Sequence, residues 1–271
     1  MKIVLLGAGW LGQQLLEPLR ADGHAVIATR QSDEGLTNLS ADVQGLRLRL
    51  PLESAPSTSL KAVFNDAVVV CSIPPGWRKQ QGQGYLTRLN SLATLMSLAG
   101  SRACIHLSST GVYQGLDGDV TEQSALQLSD AKAALLLQGE QLLSQSRPCC
   151  TLRLGGLIGP GRHPGRFLAG RSLVDPMGAV NMVHSTDVIR AIRLILQQQS
   201  WPAVFNLCCP ELVSRQKFYQ QASAALQLVA PSPGEAAQES RRVMATLITQ
   251  QLGFDYHYPS ALDALAPSAT Y

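Results

Sequence analysis

The sequence has few charged residues, no long hydrophobic run and no cysteine pair of the CxxC type. Charged residues make up 15% of the chain, and its 22 basic residues nearly balance 19 acidic ones. The resulting net charge of +3 excludes the strongly basic surface that is typical of nucleic-acid-binding proteins. No apolar stretch approaches the roughly 20 residues that a membrane-spanning helix needs. We therefore expect a small-molecule substrate and neither a nucleic-acid nor a membrane partner.

Six cysteines are present, and none has the spacing of a metal site. Most of them lie in apolar, strand-like segments, so we expect reduced thiols in the core and no metal. The N-terminal apolar segment is interrupted by Gly7, Gly9 and Gly12, which argues against an export signal. Thiols stay reduced in the cytoplasm, and a cytoplasmic location is therefore expected.

Hydrophobic residues make up 45% of the 271-residue chain, enough for a sizeable core. Over the first 154 residues, short apolar runs alternate with segments in which leucine recurs at helical spacing. The predicted strands are residues 2–6, 24–29, 45–50, 67–71, 103–107 and 150–154, and the predicted long helices are residues 85–98 and 131–143. Parallel strands require crossover connections that cover both faces of their sheet. The alternation predicts the α/β class, with a Rossmann-type doubly wound parallel sheet.

The character of the sequence changes after residue 155. Residues 155–170 contain six of the 23 glycines and two prolines, and this composition is too irregular for a sheet strand. The later predicted elements are a strand at residues 181–184, a helix at 187–196, a strand at 203–208 and helices at 214–226 and 240–252. We expect a Rossmann core of residues 1–155 and 183–209. A smaller, discontinuous substrate lobe is expected at residues 156–182 and 210–271.

A glycine-rich turn joins the first predicted strand to the first helix. It consists of Gly7, Ala8, Gly9, Trp10, Leu11 and Gly12. In this pattern the first glycine permits the tight turn, the second a close approach of pyrophosphate, and the third the packing of helix on strand. Backbone N–H groups at a helix N-terminus favour negative charge. The turn therefore predicts a dinucleotide-binding site formed by these six residues.

The end of the second strand indicates which dinucleotide binds. Sites for NAD usually carry Asp or Glu there, whereas an arginine accommodates the 2′-phosphate of NADP. This chain has Arg30 at that place, and a guanidinium can hold a phosphate through two parallel hydrogen bonds. We therefore predict NADP(H) as the cofactor. NAD is the alternative, in which Arg30 is a solvated surface residue and Asp33 contacts the ribose.

Three further motifs carry a family resemblance. Residues 108–113 (SSTGVY) follow the fifth strand, at the sheet edge where doubly wound proteins bind ligands. Residues 153–162 (RLGGLIGPGR) and 181–187 (NMVHSTD) follow in order. With the glycine turn, these motifs make the chain resemble the NAD-dependent epimerase/dehydratase family, the extended short-chain dehydrogenases/reductases. The C-terminal segments 252–254 (LGF) and 258–260 (YPS) resemble its atypical YeeZ-like branch in particular.

The resemblance implies roles for several residues. Ser109 matches the catalytic serine of the family, which hydrogen-bonds a substrate oxygen. The segment after the fourth strand is similar to one that runs along the cofactor in this branch. Cofactor contacts are accordingly expected from Ser72, Pro74 and Ser108. Trp77 and Arg78 cover the nicotinamide or contact the substrate in this interpretation, and form a surface connector in the alternative.

The basic segment at residues 162–171 has two interpretations. Arg162 and Arg166 bind a substrate diphosphate if the chain acts as nucleotide-sugar enzymes of the family do. In the alternative, they belong to a loop whose charge only keeps the surface hydrated.

The chain lacks the Tyr-x-x-x-Lys pair that the family normally carries on the helix after the fifth strand. If Glu140 is aligned with the family glutamate, Lys132 replaces the tyrosine and Leu136 the lysine. A gap-free count from Ser109 gives residues 134 and 138 instead. Either alignment removes the phenol, so general acid–base catalysis needs another proton carrier, for which Tyr113 and Lys132 are the candidates.

Two functions follow from these observations. The first is an NADP(H)-binding oxidoreductase or isomerase of the epimerase/dehydratase type, whose small substrate is a nucleotide sugar or another phosphorylated compound. The second is a catalytically silent NADP(H)-binding sensor or regulatory protein. The retained serine and the substrate lobe favour the enzyme, and the missing tyrosine favours the sensor. A monomer or a homodimer is expected.

Overall fold

The computed structural model describes residues 1–77, 81–237 and 239–265. Thirteen strands are described: β1 (Lys2–Leu6), β2 (Ala25–Arg30), β3 (Gln44–Arg47), β4 (Val68–Cys71), β5 (Ala103–Ser109), β6 (Gly118–Val120), β7 (Cys149–Leu154), β8 (Gly156–Ile158), β9 (Ser172–Leu173), β10 (Met182–His184), β11 (Ala203–Leu207), β12 (Ser232–Pro233) and β13 (Arg241–Val243). The α-helices within these residues are α1 (Trp10–Ala21), α2 (Asp33–Thr37), α3 (Thr58–Phe64), α4 (Tyr85–Ala99), α5 (Ala131–Ser146), α6 (Ser185–Gln198), α7 (Arg215–Ala225) and α8 (Leu247–Leu252). None of these helices is long and apolar enough to cross a membrane.

Seven strands form one parallel sheet in the order β11-β7-β5-β4-β1-β2-β3. The strand order reverses beside β1, which pairs with β2 on one side and with β4 on the other. In doubly wound sheets, ligands bind outside the carboxyl ends of the strands at such a reversal. The predicted Rossmann-type α/β fold is confirmed, and its expected ligand crevice lies where β1 and β4 end.

The chain divides into two compact units. The first unit consists of the described residues of Met1–Val112, Ala131–Leu152 and Ile195–Val204. The second consists of those of Tyr113–Asp130, Arg153–Leu194 and Phe205–Tyr271.

The second unit includes residues 113–130 and 183–194, which the sequence pattern assigns to the core. Two short parallel pairings account for this difference, because β6 pairs with β13 and β10 pairs with β8. Pairings between distant segments leave little trace in the local sequence.

The core of the first unit is made of continuous apolar strands and the leucine-rich faces of helices. All four residues of β4 are buried, as expected for a strand covered on both faces. Helix α4 buries Leu89, Leu92 and Leu95 and ends at Gly100, which has a φ of 71°. Four of the six cysteines belong to this unit and two to the second, and all six are free and buried, as predicted.

The second unit has its own core. Helix α7 begins after Ser214, whose Oγ accepts a hydrogen bond from the N–H of Lys217 at 3.3 Å, and it buries Phe218 and Tyr219. The entry to α6 is fixed by His184, whose Nδ1 accepts from the N–H of Thr186 at 3.1 Å. These helix starts lie at most two residues from the predicted ones.

Two predictions about the second unit were wrong. Residues 240–252 form strand β13 and helix α8 rather than one helix. Asn181 holds this segment extended, since its amide donates to the carbonyl of Arg241 at 3.1 Å and its Oδ1 accepts from the N–H of Val243 at 2.8 Å. The glycine-rich residues 155–170 were predicted to contain no strand, yet β8 pairs there with β10.

Candidate functional site

The glycine turn of the first unit is anchored to the end of β2. The N–H of Gly7 donates to Oγ1 of Thr29 at 3.0 Å, and the N–H of Ala8 donates to the carbonyl of Thr29 at 3.1 Å. Gly7 has a φ of 88°, which disfavours any side chain. A Cβ at Gly12 would lie 2.6 Å from the carbonyl oxygen of Gly7. Only glycine at position 12 therefore allows α1 to pack this closely on the turn.

The N-terminus of α1 offers donors for an anion. Gly9 is the N-cap and supplies no side-chain acceptor, and the first turn of the helix contains no acidic residue. The first N–H groups of any helix lack an intrahelical acceptor, and the helix dipole adds a partial positive charge. A Cβ at Gly9 would contact only the carbonyl of Gly7, at 3.9 Å. The turn thus leaves open the approach that a pyrophosphate needs.

Ser72 closes the turn from the end of β4. Its hydroxyl lies 2.9 Å from the carbonyl oxygen of Leu6 and 2.8 Å from that of Gly7. The hydroxyl hydrogen is therefore used to hold the turn in shape. In the segment that follows, Pro74 is exposed and the ring of Trp77 lies against Gly82. Arg78 lies outside the described residues.

Arg30 is the last residue of β2 and follows Thr29, to which the glycine turn is anchored. It is half-buried, and its Nε is buried without a hydrogen-bond partner among the described residues. Asp33 is directed to Arg47, with an Oδ2 to Nη1 distance of 2.8 Å between two exposed side chains. The guanidinium of Arg30 thus suits an incoming anion, while the nearby carboxylate already has a cationic partner.

Ser109 and Lys132 both lie beside Gly111. The Oγ of Ser109 accepts from the N–H of Gly111 at 3.1 Å. A Cβ at Gly111 would lie 2.8 Å from Cε and 3.1 Å from Nζ of Lys132, and 3.1 Å from Cδ1 of Leu136. Lys132 and Leu136 are one helical turn apart on α5. The loop after β5 therefore contacts the same helix positions that the Glu140-based alignment equates with the family's Tyr and Lys.

Ser108 faces the interior of the first unit. Its Oγ donates to Oε1 of Glu140 at 2.6 Å, and both residues are buried. Close to them, the hydroxyl of Tyr85 lies 3.3 Å from Nε2 of His106. Burial lowers the pKa of His106 to about 4, so its ring is neutral at pH 7. Ser108 thus joins β5 to α5 through Glu140.

Tyr113 is fully buried in the second unit and its hydroxyl has two partners. It donates to Oδ1 of Asn206 at 2.7 Å and accepts from Nη1 of Arg153 at 2.9 Å. The Arg153 guanidinium also lies 5.2 Å from the centre of the Tyr113 ring. Burial raises the pKa of Tyr113 above its usual value. The phenol is thus held inside a buried polar network.

The basic segment of the second unit is exposed. Arg162 donates from Nε to the carbonyl of Leu157 at 2.9 Å, and Arg166 ends a single 3₁₀ turn after Pro164. His163 caps that turn, since its Nδ1 accepts from the N–H of Gly165 at 3.1 Å. Both arginines therefore present their charge at the surface.

Sequence reasoning missed one feature of the second unit. An open polar cavity of about 340 Å³ is lined by Gln114, Gly115, Gln127, Ser129, Asp130 and Glu239. No local signal marks it, because its lining comes from segments more than a hundred residues apart. Across the described residues, no group of His, Cys, Asp and Glu is arranged to hold a metal ion.

No family model matches the sequence. The chain is 31% identical over 267 residues to protein YeeZ of Escherichia coli K12, covering 96% of this chain and 97% of that protein. Its fold is similar to that of the UDP-glucuronic acid 4-epimerase of Bacillus cereus in complex with NAD, with a TM-score of 0.78, 19% identity and coverage of 100% and 97%. MoeE5 in complex with UDP-glucuronic acid and NAD has a TM-score of 0.78, 20% identity and the same coverage.

The solved structures establish the fold alone, whereas the identity to YeeZ extends over nearly the whole chain. The chain therefore belongs to the YeeZ family, and its fold is similar to that of solved short-chain dehydrogenase/reductase and epimerase structures.

Proposed function

We propose that this chain is an NADP(H)-dependent enzyme of the oxidoreductase or epimerase type, in which Lys132 takes the place of the family tyrosine. The observation that carries this proposal is the position of the Lys132 ammonium group beside Gly111, two residues after Ser109 at the end of β5. Hydride transfer at a carbinol carbon requires from the protein a hydrogen-bonding group for the substrate oxygen and a side chain that carries its proton. A serine hydroxyl and a lysine ammonium group on the same side of the site would meet both requirements.

The cofactor is proposed to bind at the glycine turn. Backbone N–H groups at the start of α1 would hold the pyrophosphate, and Arg30 would hold the 2′-phosphate. The segment after β4, with Ser72 and Pro74, would flank the dinucleotide, while Ser72 keeps the turn in shape. When bound, the nicotinamide supplies a reversible acceptor of hydride.

The chain's own residues would handle the oxygen and the proton. Ser109 is half-buried and would donate a hydrogen bond to a substrate oxygen. Lys132 would give and take the proton of that oxygen, as a general acid and base. Tyr113 has no place in this proposal, because Arg153 and Asn206 already use its hydroxyl. Ser108 likewise acts through Glu140, as a residue that positions the loop.

We propose a nucleotide sugar as the substrate class. The fold is shared with proteins solved in complex with UDP-sugars, and the second unit presents Arg162 and Arg166 at its surface. Guanidinium groups suit a diphosphate, and the ring of Trp77 offers an apolar surface for a sugar or a base. These residues are assigned to substrate contact on that chemistry.

The cofactor assignment is tested by titrating the full chain with NADPH and NADH. We expect NADPH to bind at least about tenfold more tightly, because a charge-assisted bidentate contact contributes more than about 1.4 kcal/mol. The Arg30→Ala variant should lose this preference. The matched control is Arg102→Ala, which removes an arginine that pairs with Asp66 beside β5 and should keep it. Equal affinities of the wild type for the two cofactors would contradict the assignment.

The enzymatic assignment is tested with NADPH deuterated at C4 and a set of UDP- and dTDP-linked keto sugars. Transfer of the label to a sugar is expected, and Lys132→Ala and Ser109→Ala should each slow it by about a hundredfold or more. Gln138→Ala is the control, since it changes an exposed residue of the same helix. Slowing by Gln138→Ala instead would favour the other alignment of the helix.

The second candidate function is a catalytically silent NADP(H)-binding protein. The absence of a tyrosine from α5 favours it. If NADPH binds tightly but no label is transferred to any of the sugars, the sensor hypothesis would be favoured over the enzyme hypothesis. The two experiments therefore separate binding of the cofactor from its use.

A further inference from the structure

Gly111 lies in the 3₁₀ turn Thr110–Tyr113 that follows β5. Its φ lies outside the left-handed region, so its conformation is open to residues that carry a Cβ. At such a position, alanine restricts the unfolded chain more than glycine does and thereby favours the folded state. The backbone therefore gives no reason for a glycine here, and the reason must lie in the space that a side chain would fill.

Two side chains of α5 occupy that space. A Cβ on Gly111 would lie 2.8 Å from Cε and 3.1 Å from Nζ of Lys132, and 3.1 Å from Cδ1 of Leu136. Leu136 is buried and Lys132 is half-buried, and the two residues are neighbours on one face of the helix. The missing side chain of Gly111 thus leaves a notch, which we call the Gly111 notch, for the end of the Lys132 side chain.

The Gly111 notch restricts a side chain that is flexible by nature. Lysine has a four-carbon stem and loses much rotamer freedom when its end is fixed. Here the end of the stem lies against the backbone of Gly111, with Leu136 next to it. An ammonium group that is held at one place meets a substrate oxygen in a defined geometry, and such orientation contributes strongly to catalysis.

The N–H of Gly111 acts on the serine of the same site. It donates to Oγ of Ser109 at 3.1 Å, and a hydroxyl that accepts a hydrogen bond can still donate its own hydrogen to another oxygen. Gly111 therefore contacts both groups that the proposed reaction requires. Its N–H orients the Ser109 hydroxyl, and its missing Cβ gives room to Lys132.

We propose that Gly111 is a positioning residue, whose notch holds the Lys132 ammonium group for proton transfer to the substrate oxygen. The inference deepens and rests on the proposed function, because it says how Lys132 is held. In Gly111→Ala the new Cβ would lie 2.8 Å from Cε, whereas carbon atoms in contact are about 3.5–4.0 Å apart, so the end of the lysine must move by about 1 Å. A long side chain makes such a shift at little cost, and the fold should be kept.

The position of the lysine is tested by NMR, without any turnover. The full chain is labelled with ¹³C at Cε of its five lysines, which are Lys2, Lys61, Lys79, Lys132 and Lys217. The signal that is missing from Lys132→Ala belongs to Lys132. Gly111→Ala should shift this signal and leave the other four in place. An unmoved Lys132 signal would refute the notch.

Gly45→Ala is the matched control. Its Cβ would lie 2.9 Å from Cδ2 of Leu36, so it also adds a methyl group against a flexible side chain, but on the edge strand β3. This variant should leave the Lys132 signal unchanged. An equal shift of the signal in both variants would mean that the response is not specific to the notch, and would also refute it.

The consequence for the reaction is measured by the transfer of deuterium from NADPH to a keto sugar. At saturating concentrations of both, Gly111→Ala should slow the transfer by about tenfold to a hundredfold, because a misplacement of about 1 Å can cost this much. The Kd for NADPH and the Tm should stay unchanged, and Gly45→Ala should alter none of the three. A normal rate in Gly111→Ala would overturn the proposal. A Tm that falls strongly would do so too, since the space would then serve packing.

A double-variant cycle separates an effect through Lys132 from a change in packing. In a chain that already carries Lys132→Ala, the truncated side chain leaves room for a Cβ at position 111, so Gly111→Ala should slow the residual transfer by less than about twofold. Slowing by the same factor in both backgrounds would contradict the proposal. Absence of transfer in the wild type would refute the proposed function, whereas an unmoved NMR signal refutes the notch, so the two failures are distinguishable.

Discussion

The two units offer candidate ligand contacts from different parts of the polypeptide. In the first unit these contacts are mostly backbone, namely the turn at residues 7–12 and the start of α1, with Arg30 as an added cation. In the second unit they are side chains, with buried polar groups such as Tyr113 and Asn206 bonded to one another beneath them. Backbone donors tolerate little change and suit a constant ligand such as a dinucleotide. Side-chain contacts change with single substitutions, so they suit a ligand group that varies.

The largest effect is expected from a substitution in the glycine turn, where the proposed ligand contacts are backbone groups. Gly12→Val should abolish NADPH binding and lower the free energy of unfolding by about 1–3 kcal/mol, since its Cβ would lie 2.6 Å from a backbone oxygen. Gly9→Ala should leave stability almost unchanged, because its Cβ would contact only one atom, at 3.9 Å, yet it should weaken binding. Chemical denaturation and NADPH titration measure the two effects. Unimpaired binding by Gly9→Ala would show that the backbone of the turn does not approach the ligand.

The acid sensitivity of the two units is the next largest effect. Burial lowers the pKa of His106 in the first unit and of His184 in the second to about 4, from 6.5 for a free ring. Between these values the unfolded chain binds more protons, so stability falls as the pH falls from about 6.5 to about 4. Each fully buried histidine accounts for up to about 3 kcal/mol of this loss.

Denaturation of the wild type, His106→Asn and His184→Asn at pH 7 and pH 4.5 measures these losses. Each variant should reduce the difference in stability between the two pH values, because asparagine does not titrate. An unchanged pH dependence in both variants would contradict the assignment of the acid sensitivity to these two rings.

The next effect concerns the buried polar network around Tyr113 in the second unit, which is expected to change stability but not binding. Tyr113→Phe removes the hydroxyl that joins Arg153 to Asn206, and it should lower the free energy of unfolding by about 1–3 kcal/mol. We expect label transfer from NADPH to persist, because the phenol has no role in the proposed proton transfer. A variant with normal stability but no transfer would instead make Tyr113 the missing proton carrier.

The smallest effect is expected at the exposed ion pair near Arg30. Asp33→Ala removes a partner of Arg47 from a pair whose side chains are 76% and 62% exposed. Exposed pairs of this kind contribute about 0–1 kcal/mol. We expect a stability change within that range and an unchanged preference for NADPH. Loss of NADH binding in this variant would show that Asp33 contacts the ribose, and would weaken the assignment to Arg30.

Much of the first unit could be predicted from the sequence because its signals are local. Strand β1 and the start of α4 match the predicted residues, since a continuous apolar run and leucines at helical spacing describe buried elements directly. The glycine turn was predictable for the same reason. The hydrogen bond of Ser108 to Glu140 was not, because Glu140 lies 32 residues away on another element.

The second unit resisted prediction where distant segments pair. Residues 240–252 have a helical pattern, yet Asn181, 60 residues earlier, holds Arg241 in an extended strand. Tyr113 is a candidate proton carrier by its place in the motif, and no local pattern announces that its hydroxyl accepts a hydrogen bond from Arg153, 40 residues later. Local propensity is a weak preference of a few tenths of a kcal/mol per residue, and tertiary contacts override it.

The sequence by itself determined the Rossmann-type sheet, the glycine turn and the absence of a tyrosine from α5, because each depends on residues that are adjacent in the chain. Only the tertiary structure decided which polar side chains form hydrogen bonds or ion pairs within the protein. Arg241 and Arg242 are identical neighbours in the sequence, and they differ because the alternation of a strand turns one of them to Asp119 and the other away from it.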